Sequence, residues 1–127
     1  MKRDMDLIRE LMLKLEALPM RMGGIVVIAP DAEEIRVDGY SPEEVFYHLG
    51  LIKEASLINS AGSGRMGRIQ FAGLTWAGHD FLDSVRSPDV WGKTKAVAAA
   101  AGGFTVDLLV TTAKTYLEAK LKGLIGG

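Results

Sequence analysis

Cysteine is absent from this sequence of 127 residues. That absence excludes disulfide bonds, thiolate zinc sites and cysteine nucleophiles together, and it is typical of proteins from a reducing cytosol. Long hydrophobic runs are missing as well. No run approaches the roughly 20 residues of a membrane-spanning helix, and the opening MKRDMDLIRE carries acids where a signal peptide is hydrophobic. We therefore expect a cytoplasmic protein that makes no membrane contact.

An excess of charge of either sign is also lacking. The formal net charge is −1, so overall electrostatics do not drive the chain onto nucleic acid, although a local basic patch still could. Apolar residues make up 48% of the sequence and charged residues 24%. Those fractions are typical of a globular protein, and the length suffices for a hydrophobic core.

The N-terminal third predicts one helix and two short strands. Apolar residues recur at spacings of three and four over residues 4–18, and Pro19 ends that helix. The runs GIVVIAP and EEIRVDG are β-branched and bounded by glycine and proline. They predict strands near 25–28 and 34–37, which could form a hairpin.

The best-defined helix start in the sequence is SPEE. Ser41 is a favourable N-cap, Pro42 suits the first helical position, and Glu44 stands three residues after the cap, as in a capping box. We expect this helix to cover residues 42–56. Its inward face is predicted to contain three apolar residues and two flanking ones: Val45, Leu49 and Ile52, with His48 and Ala55.

Three further helices are predicted in the C-terminal half. Thr75 caps a short helix that ends at Val85, the SPD motif at 87–89 starts a helix that stops at the glycine pair 102–103, and Thr105 caps the last one. The last helix has apolar positions at a heptad-like spacing: Val106, Val110, Ala113, Leu117 and Leu124. That spacing predicts packing against a partner helix, including the helix of a second copy.

A glycine-rich loop matches a cofactor fingerprint by its letters. Gly62, Gly64 and Gly67 in SAGSGRMGRIQ spell G-x-G-x-x-G. The fingerprint binds phosphate only where a helix follows it, and here the alternating run RIQFAGL predicts a strand. We expect LIN and RIQFAGL to form two strands and the residues between them to form a flexible loop. Arg65 and Arg68 would then point into solvent, and no cofactor would bind.

Residues for catalysis or metal binding are sparse. His79 and Asp83 stand four positions apart and could share a metal ligand, but a structural role is the commoner one. His48 is expected to be a hydrogen-bonded core histidine. No pairing of nucleophile and base is evident, so we expect neither enzymatic activity nor a metal ion.

The order of the elements indicates an α+β fold. Helix, strand, well-capped helix, strand, basic loop and strand follow one another as in a winged-helix domain, with residues 60–68 as the wing. We expect a winged-helix-like core over residues 1–86 and a helical extension over residues 87–127, packed on the core or on a partner. No helix is evident between Pro19 and Ser41, where the winged-helix pattern has one.

The outward side of the helix at 42–56 presents six residues: Glu43, Phe46, Tyr47, Gly50, Lys53 and Glu54. A helix that reads DNA needs Arg, Lys, Asn, Gln or Ser on that side. Two aromatic side chains beside a glycine are more typical of a protein-docking surface. Alternatively, the C-terminal helices cover this side. The predicted partner-binding residues are therefore Phe46, Tyr47, Gly50, Val106, Val110 and Leu117.

Three segments resemble a known family. MKRDMDLIR, GYSPEEVFYHLGLIKEASLI and LTWAGHDFLDSVRSPDVW are similar to segments of small bacterial and phage proteins classified as a domain of unknown function. The resemblance covers residues 1–95. It implies a setting in a prophage or mobile element and a winged-helix-like core, and it implies no catalytic or ligand residues. Ser56 departs from the glycine of EAGLI-type winged-helix sequences.

Three functions follow as expectations. The first is a DNA-binding regulator that uses Arg65, Arg68 and Lys53 on phosphates or in a minor groove. The alternative is a phage-encoded interaction protein that blocks a host or defence complex through the aromatic side of the helix at 42–56 and the last helix. The third is a small-ligand binder that uses the glycine loop and His79.

Overall fold

A computed structural model describes residues 1–60, 68–100 and 105–124. Its α-helices and β-strands are, in chain order, α1 (Met5–Ala17), β1 (Val26–Ile28), α2 (Pro42–Glu54), β2 (Ile69–Phe71), α3 (Trp76–Val85), α4 (Pro88–Ala100) and α5 (Val106–Leu124). A 3-10 helix, Glu33–Ile35, lies between β1 and α2. Helices combined with a small antiparallel sheet confirm the α+β class.

The chain divides into two compact units, Met1–His79 and Asp80–Gly127. The division into a core of residues 1–86 and an extension of residues 87–127 stays a prediction. No helix in the described ranges is long and apolar enough to cross a lipid bilayer.

In the first unit, α1 and α2 pack their apolar faces together. Asp4 is the N-cap of α1, and its carboxylate accepts hydrogen bonds from the backbone N–H groups of Asp6 and Leu7 at 2.9 and 3.3 Å. The caps and the spacing of apolar residues explain why both helices form where the sequence predicts them. The fully buried residues on the two helices are Leu7, Leu11, Met12 and Leu15 on α1 and Leu49 and Ile52 on α2.

The predicted hairpin of residues 25–28 and 34–37 is wrong. The structure has a 3-10 helix, Glu33–Ile35, in place of the second strand. A turn closed by the Ala32 N–H and the Ala29 carbonyl leads into it, and the Ile35 side chain is completely buried. The alternating residues EIRV therefore do not form a strand. The pattern arises because Ile35 is buried at a tight turn.

The partner of β1 is the distant strand β2. The two run antiparallel, with Val26 opposite Phe71 and Ile28 opposite Ile69. The predicted strand LIN is reduced to a single bridge between Ile58 and Leu74, extended by two backbone hydrogen bonds of Asn59 at 2.8 and 2.9 Å. The glycine loop, residues 61–67 with Arg65, falls outside the described residues.

Helix α2 ends in a Schellman motif. The Ser56 N–H bonds the Lys53 carbonyl at 3.0 Å, and the Leu57 N–H bonds the Ile52 carbonyl at 3.2 Å. Ser56 adopts the left-handed conformation, with φ of 59°. Because the helix ends at Glu54, Ala55 is exposed. Its predicted place on the inward face is therefore wrong.

We expect Ser56→Gly to stabilise the protein by about 0.5–1 kcal/mol. Glycine enters the left-handed region without the steric cost that a Cβ brings, and this gain exceeds its larger unfolded-state entropy. Urea unfolding of the variant checks the prediction. Ser56→Ala is the matched control, since it removes the hydroxyl but keeps the Cβ. Equal stabilities of the glycine and alanine variants would contradict the explanation.

Helix α3 begins at Thr75, as its sequence predicts. The Thr75 hydroxyl accepts the Gly78 N–H at 3.0 Å and donates to the Ser56 carbonyl at 2.6 Å. The chain after α2 therefore lies against the first turn of α3. A Cβ added at Gly78 would overlap the Leu57 carbonyl oxygen, so this close approach requires glycine.

The second unit contains a pair of packed helices. The Ser87 hydroxyl caps α4 by accepting the Val90 N–H at 3.4 Å, and α4 packs against α5. The Ala113 side chain is completely buried, whereas Val110 and Leu117 are half-buried. The helix predicted to partner α5 is thus α4 of the same chain. The side chain of Val106 lies outside the described part.

Polar contacts join α5 to the start of the second unit. The Lys114 ammonium lies 2.8 Å from the Asp80 carboxylate. Asp89 accepts the Tyr116 hydroxyl at 3.2 Å and lies 3.5 Å from the Lys120 ammonium. Lys120 stands between Leu117 and Leu124 in the heptad-like pattern, and this contact gives its charge a partner.

Candidate functional site

The exposed side of α2 carries two aromatic side chains. We use the name α2 face for the outward residues of this helix, which are Glu43, Phe46, Tyr47, Gly50, Lys53 and Glu54. The Phe46 and Tyr47 side chains are 39% and 40% exposed, while their neighbours His48 and Leu49 are buried. The two aromatic rings are thus held at the surface by the helix that anchors the core.

Two reciprocal hydrogen bonds determine where α2 begins. The Ser41 hydroxyl accepts the Glu44 N–H at 3.2 Å, and the Glu44 carboxylate accepts the Ser41 N–H at 3.1 Å. Pro42 occupies the first helical position. The predicted capping box is therefore confirmed. A fixed start gives the aromatic residues, one turn further along, a defined orientation.

A partly buried polar network connects α2 to the beginning of α1. The Asp4 backbone N–H donates to His48 Nε2 at 2.8 Å, and His48 Nδ1 lies 2.7 Å from the Glu44 carbonyl oxygen. The Tyr40 hydroxyl donates to the Asp4 carboxylate at 2.7 Å. We call these residues the Asp4–Tyr40–His48 network. It brings together residues that are 36 and 44 positions apart.

The network uses both ring nitrogens of His48. Nε2 accepts the Asp4 backbone N–H, and Nδ1 lies within hydrogen-bond distance of the Glu44 carbonyl oxygen, to which an Nδ1–H donates. Both ring nitrogens are thereby used inside the fold. His48 holds the two helices together and has no nitrogen left for a metal ion or a substrate, which agrees with the predicted core histidine.

The same network alters the ionisation of Tyr40. Its hydrogen bond to the Asp4 carboxylate, assisted by burial and by the nearby negative charge, raises the pKa of Tyr40 to about 12 from the usual 10.0. The carboxylate accepts the phenolic proton only while the phenol is neutral. Tyr40 is therefore a neutral hydrogen-bond donor across the physiological range.

We expect the protein to lose stability between pH 10 and pH 12 through Tyr40. In that window the folded protein keeps a phenolic proton that the unfolded chain has released, so the free energy of unfolding falls as pH rises. Tyr40→Phe removes this dependence. The measurement is urea unfolding of both proteins at several pH values. An equally steep loss above pH 10 in the phenylalanine variant would contradict the assignment.

The chemistry of the α2 face suits contact with another protein. Its charges are two carboxylates, Glu43 and Glu54, and one ammonium, Lys53. The Tyr47 ring stands edge-on to the buried His48 ring, with centroids 5.5 Å apart, which restricts the motion of Tyr47. Aromatic side chains are enriched at the centres of protein interfaces.

The residues predicted to bind nucleic acid lie apart along the chain. Lys53 is exposed in the last turn of α2, and Arg68 is exposed directly before β2. Arg65 falls outside the described residues. Lys53 is adjacent to Glu54 on the surface of α2. Among the described residues, Arg68 is the cation nearest in sequence to the glycine loop.

His79 and Asp83, the predicted metal-ligand candidates, lie one turn apart on α3. The His79 side chain is exposed on α3, and the Asp83 carboxylate accepts the Arg86 guanidinium at 3.1 Å. Within residues 1–60, 68–100 and 105–124, no group of three or more His, Cys, Asp or Glu side chains is placed to hold a metal ion.

Two features of this surface region were not predicted. Trp76 is 88% exposed at the first position of α3. The exposure of Trp76 could have been predicted from its position, because the first residue after a Thr N-cap makes few contacts with its own helix. The contact between Asp4 and Tyr40 had no such signal, since no pattern within one element specifies a hydrogen bond across 36 residues.

The fold and this surface define a class: a small α+β protein built of helices and a two-stranded antiparallel sheet. The profile of a family described as "Hypothetical protein (DUF2513)" matches residues 2–104. An "Uncharacterized protein" of Haemophilus influenzae is 31% identical over 124 residues, which cover 95% of this chain and 99% of that protein. No solved structure matches the chain. The chain belongs to the DUF2513 family, which confirms the predicted membership of a small uncharacterised family.

Proposed function

We propose that this chain is a non-enzymatic binding protein of winged-helix type from a phage or mobile element, and that it acts by docking a host protein on the α2 face. The observation that carries the proposal is the exposure of Phe46 and Tyr47, at 39% and 40%, on a helix that is fixed at both ends. Anchored aromatic side chains supply large contact area at low entropic cost.

The pairing of the strands supports the winged-helix architecture. Residues 57–59 bond with residues 72–75, and β2 pairs with β1. Extended segments that pair after a well-capped helix are typical of a winged-helix domain. The missing helix before α2 has a counterpart in the 3-10 helix Glu33–Ile35. Because this helix has three residues, the helix-turn-helix element is shorter than usual. This favours a binding mode that differs from that of a typical winged-helix domain.

The electrostatics of the α2 face favour a protein partner over DNA. Glu43 and Glu54 would face phosphates if α2 entered a major groove, and each such approach is repulsive. Phe46 and Tyr47 offer few hydrogen bonds to base edges. A partner with an apolar pocket and a basic rim complements this surface in both respects.

We expect the double variant Phe46→Ala, Tyr47→Ala to lose at least about 30-fold in affinity for the partner, since paired aromatic anchors together contribute about 2 kcal/mol or more. The measurement is affinity capture from nuclease-treated host lysate, followed by titration of the captured protein. Val97→Ala is the matched control, because Val97 is 53% exposed on α4. Full capture by the double variant would contradict the proposal.

A second candidate function is DNA binding through Arg68, Lys53 and Arg65. The exposure of Lys53 and Arg68 favours it. Affinity for duplex DNA would then fall steeply between low and physiological salt, and Arg65→Ala with Arg68→Ala would reduce the salt slope by about two charges. A mobility-shift titration at low salt distinguishes the two functions. No shift of any duplex would eliminate this candidate.

A further inference from the structure

The outer edge of β1 has the properties of an unoccupied pairing site. Among the described residues, β1 pairs with β2 alone. Ile25 and Val27 are 52% and 54% exposed, and the segment MGGIVVIAP, residues 22–30, contains no charged residue. Natural edge strands are protected from pairing by charges, bulges or covering elements. This edge lacks the first of those devices along its whole length.

An apolar groove lies beside this edge. It has a volume of about 270 Å³, and its lining combines apolar residues, among them Leu18, Val27, Ala32 and Ile35, with one carboxylate, Glu34. Two exposed methionines precede the strand: Met20 is 37% exposed and Met22 is fully exposed. Methionine side chains are flexible and adapt to irregular apolar gaps.

We propose that a second copy of this chain pairs with the outer edge of β1, antiparallel and across a two-fold axis near Val27. In such a pair, the segment before one strand lies beside the segment after the other. Met20 and Met22 of each chain therefore meet the groove of the other, because part of its lining, at Ala32 and Ile35, follows β1.

The flanking charges are complementary in the same arrangement. Arg21 precedes β1, and Glu33 and Glu34 follow it in the 3-10 helix, where the Glu33 carboxylate also lies 4.0 Å from the guanidinium of Arg36 in its own chain. Antiparallel pairing brings Arg21 of one chain towards the two carboxylates of the other, twice in each dimer. A parallel pair would instead bring like charges together, so the charge pattern specifies the antiparallel, self-complementary arrangement.

The exposed apolar area limits the affinity with which the two chains associate. The exposed parts of Met20, Met22, Ile25 and Val27 amount to roughly 450 Å² per chain, or about 900 Å² per dimer, and specific interfaces start near 1,000–1,200 Å². The dimer is therefore weak and reversible. It forms at high local concentration and leaves the α2 face a separate surface.

Sedimentation equilibrium over a concentration series up to about 1 mM tests the dimer, since a Kd in the upper micromolar range is populated there. We expect wild-type protein to dimerise, and Val27→Lys to weaken association at least tenfold. Val97→Lys is the matched control on α4. A strict monomer at the highest concentration, or a dimer that Val27→Lys leaves unchanged, would overturn the proposal.

Cross-linking gives a second readout that does not depend on the stability of the lysine variant. Because the chain has no cysteine, Val27→Cys introduces a single thiol. Opposed residues in an antiparallel pair have Cα atoms about 4.5–5.5 Å apart, within disulfide range. Mild oxidation should give a covalent dimer for Val27→Cys and none for Val97→Cys. Equal yields would overturn the proposal and leave the α2 face untouched.

Discussion

Gly78→Ala should destabilise the protein by about 3 kcal/mol and lower its Tm by roughly 10 °C. The added Cβ would overlap the Leu57 carbonyl oxygen and also crowd the end of the Met12 side chain at 3.2 Å. The carbonyl belongs to the segment that accepts the Thr75 hydroxyl at Ser56. It therefore has little freedom to move. Thermal unfolding followed by circular dichroism measures the effect.

The matched control for Gly78 is Gly50→Ala. Nothing lies within 4 Å of a Cβ added at Gly50, which lies within α2. Alanine there should stabilise the protein by about 0.5–1 kcal/mol, the difference in helix propensity. If Gly78→Ala behaved like Gly50→Ala, the close approach of α3 to the Leu57 carbonyl would be refuted. A stabilised Gly50→Ala protein that captured its partner poorly would also place Gly50 inside the docking surface.

His48→Ala should destabilise the protein by about 3 kcal/mol. The substitution removes a buried ring and leaves the Asp4 N–H without its acceptor, so a cavity and an unsatisfied donor add to the lost hydrogen bonds. It also disconnects the start of α1 from α2. Urea unfolding gives the change in the free energy of unfolding.

His48→Gln separates the hydrogen bond from the packing. A glutamine side-chain oxygen can occupy the place of Nε2 and accept the Asp4 N–H, which should restore about 1 kcal/mol relative to alanine. Glutamine and alanine variants of equal stability would show that the ring contributes by packing alone. Protection of the Asp4 amide from hydrogen exchange provides an independent check on that bond.

Local patterns predicted the helices of this chain well. Ser41, Thr75 and Ser87 each cap a helix by accepting a backbone N–H three residues further on, so the sequence near them contains the capping hydrogen bond. The periodic apolar residues of α1 and α2 also identify the buried faces correctly. The prediction for Ala55 is wrong because the helix ends at Glu54, two residues before its predicted end at residue 56.

Interactions between distant residues were not accessible in the same way. The strand at residues 26–28 was given the nearest available partner, whereas its actual partner lies more than forty residues away at residues 69–71. Loop closure over such a distance is decided by the whole core, in which Ile28, Ile69 and Phe71 are buried. Periodicity also predicted α5. It did not decide whether the helix that packs against α5 belongs to the same chain or to a second copy.

The candidate site was only partly predictable for the same reason. The orientation of Phe46 and Tyr47 follows from the helical period and from the capping box at Ser41. What holds α2 in place is the Asp4–Tyr40–His48 network, whose members come from two of the segments that resemble the family. Those segments could be recognised by their letters, but their convergence on one network is a property of the fold.

The proposed docking on the α2 face is tested most directly by photo-cross-linking in the native host cell. A photoreactive phenylalanine analogue at position 46 should join the chain to one host protein, in amounts that digestion of nucleic acid leaves unchanged. The same analogue at position 97, on a comparably exposed residue of α4, should give no such product. Cross-links from position 46 to DNA, or the same products from both positions, would contradict the proposal.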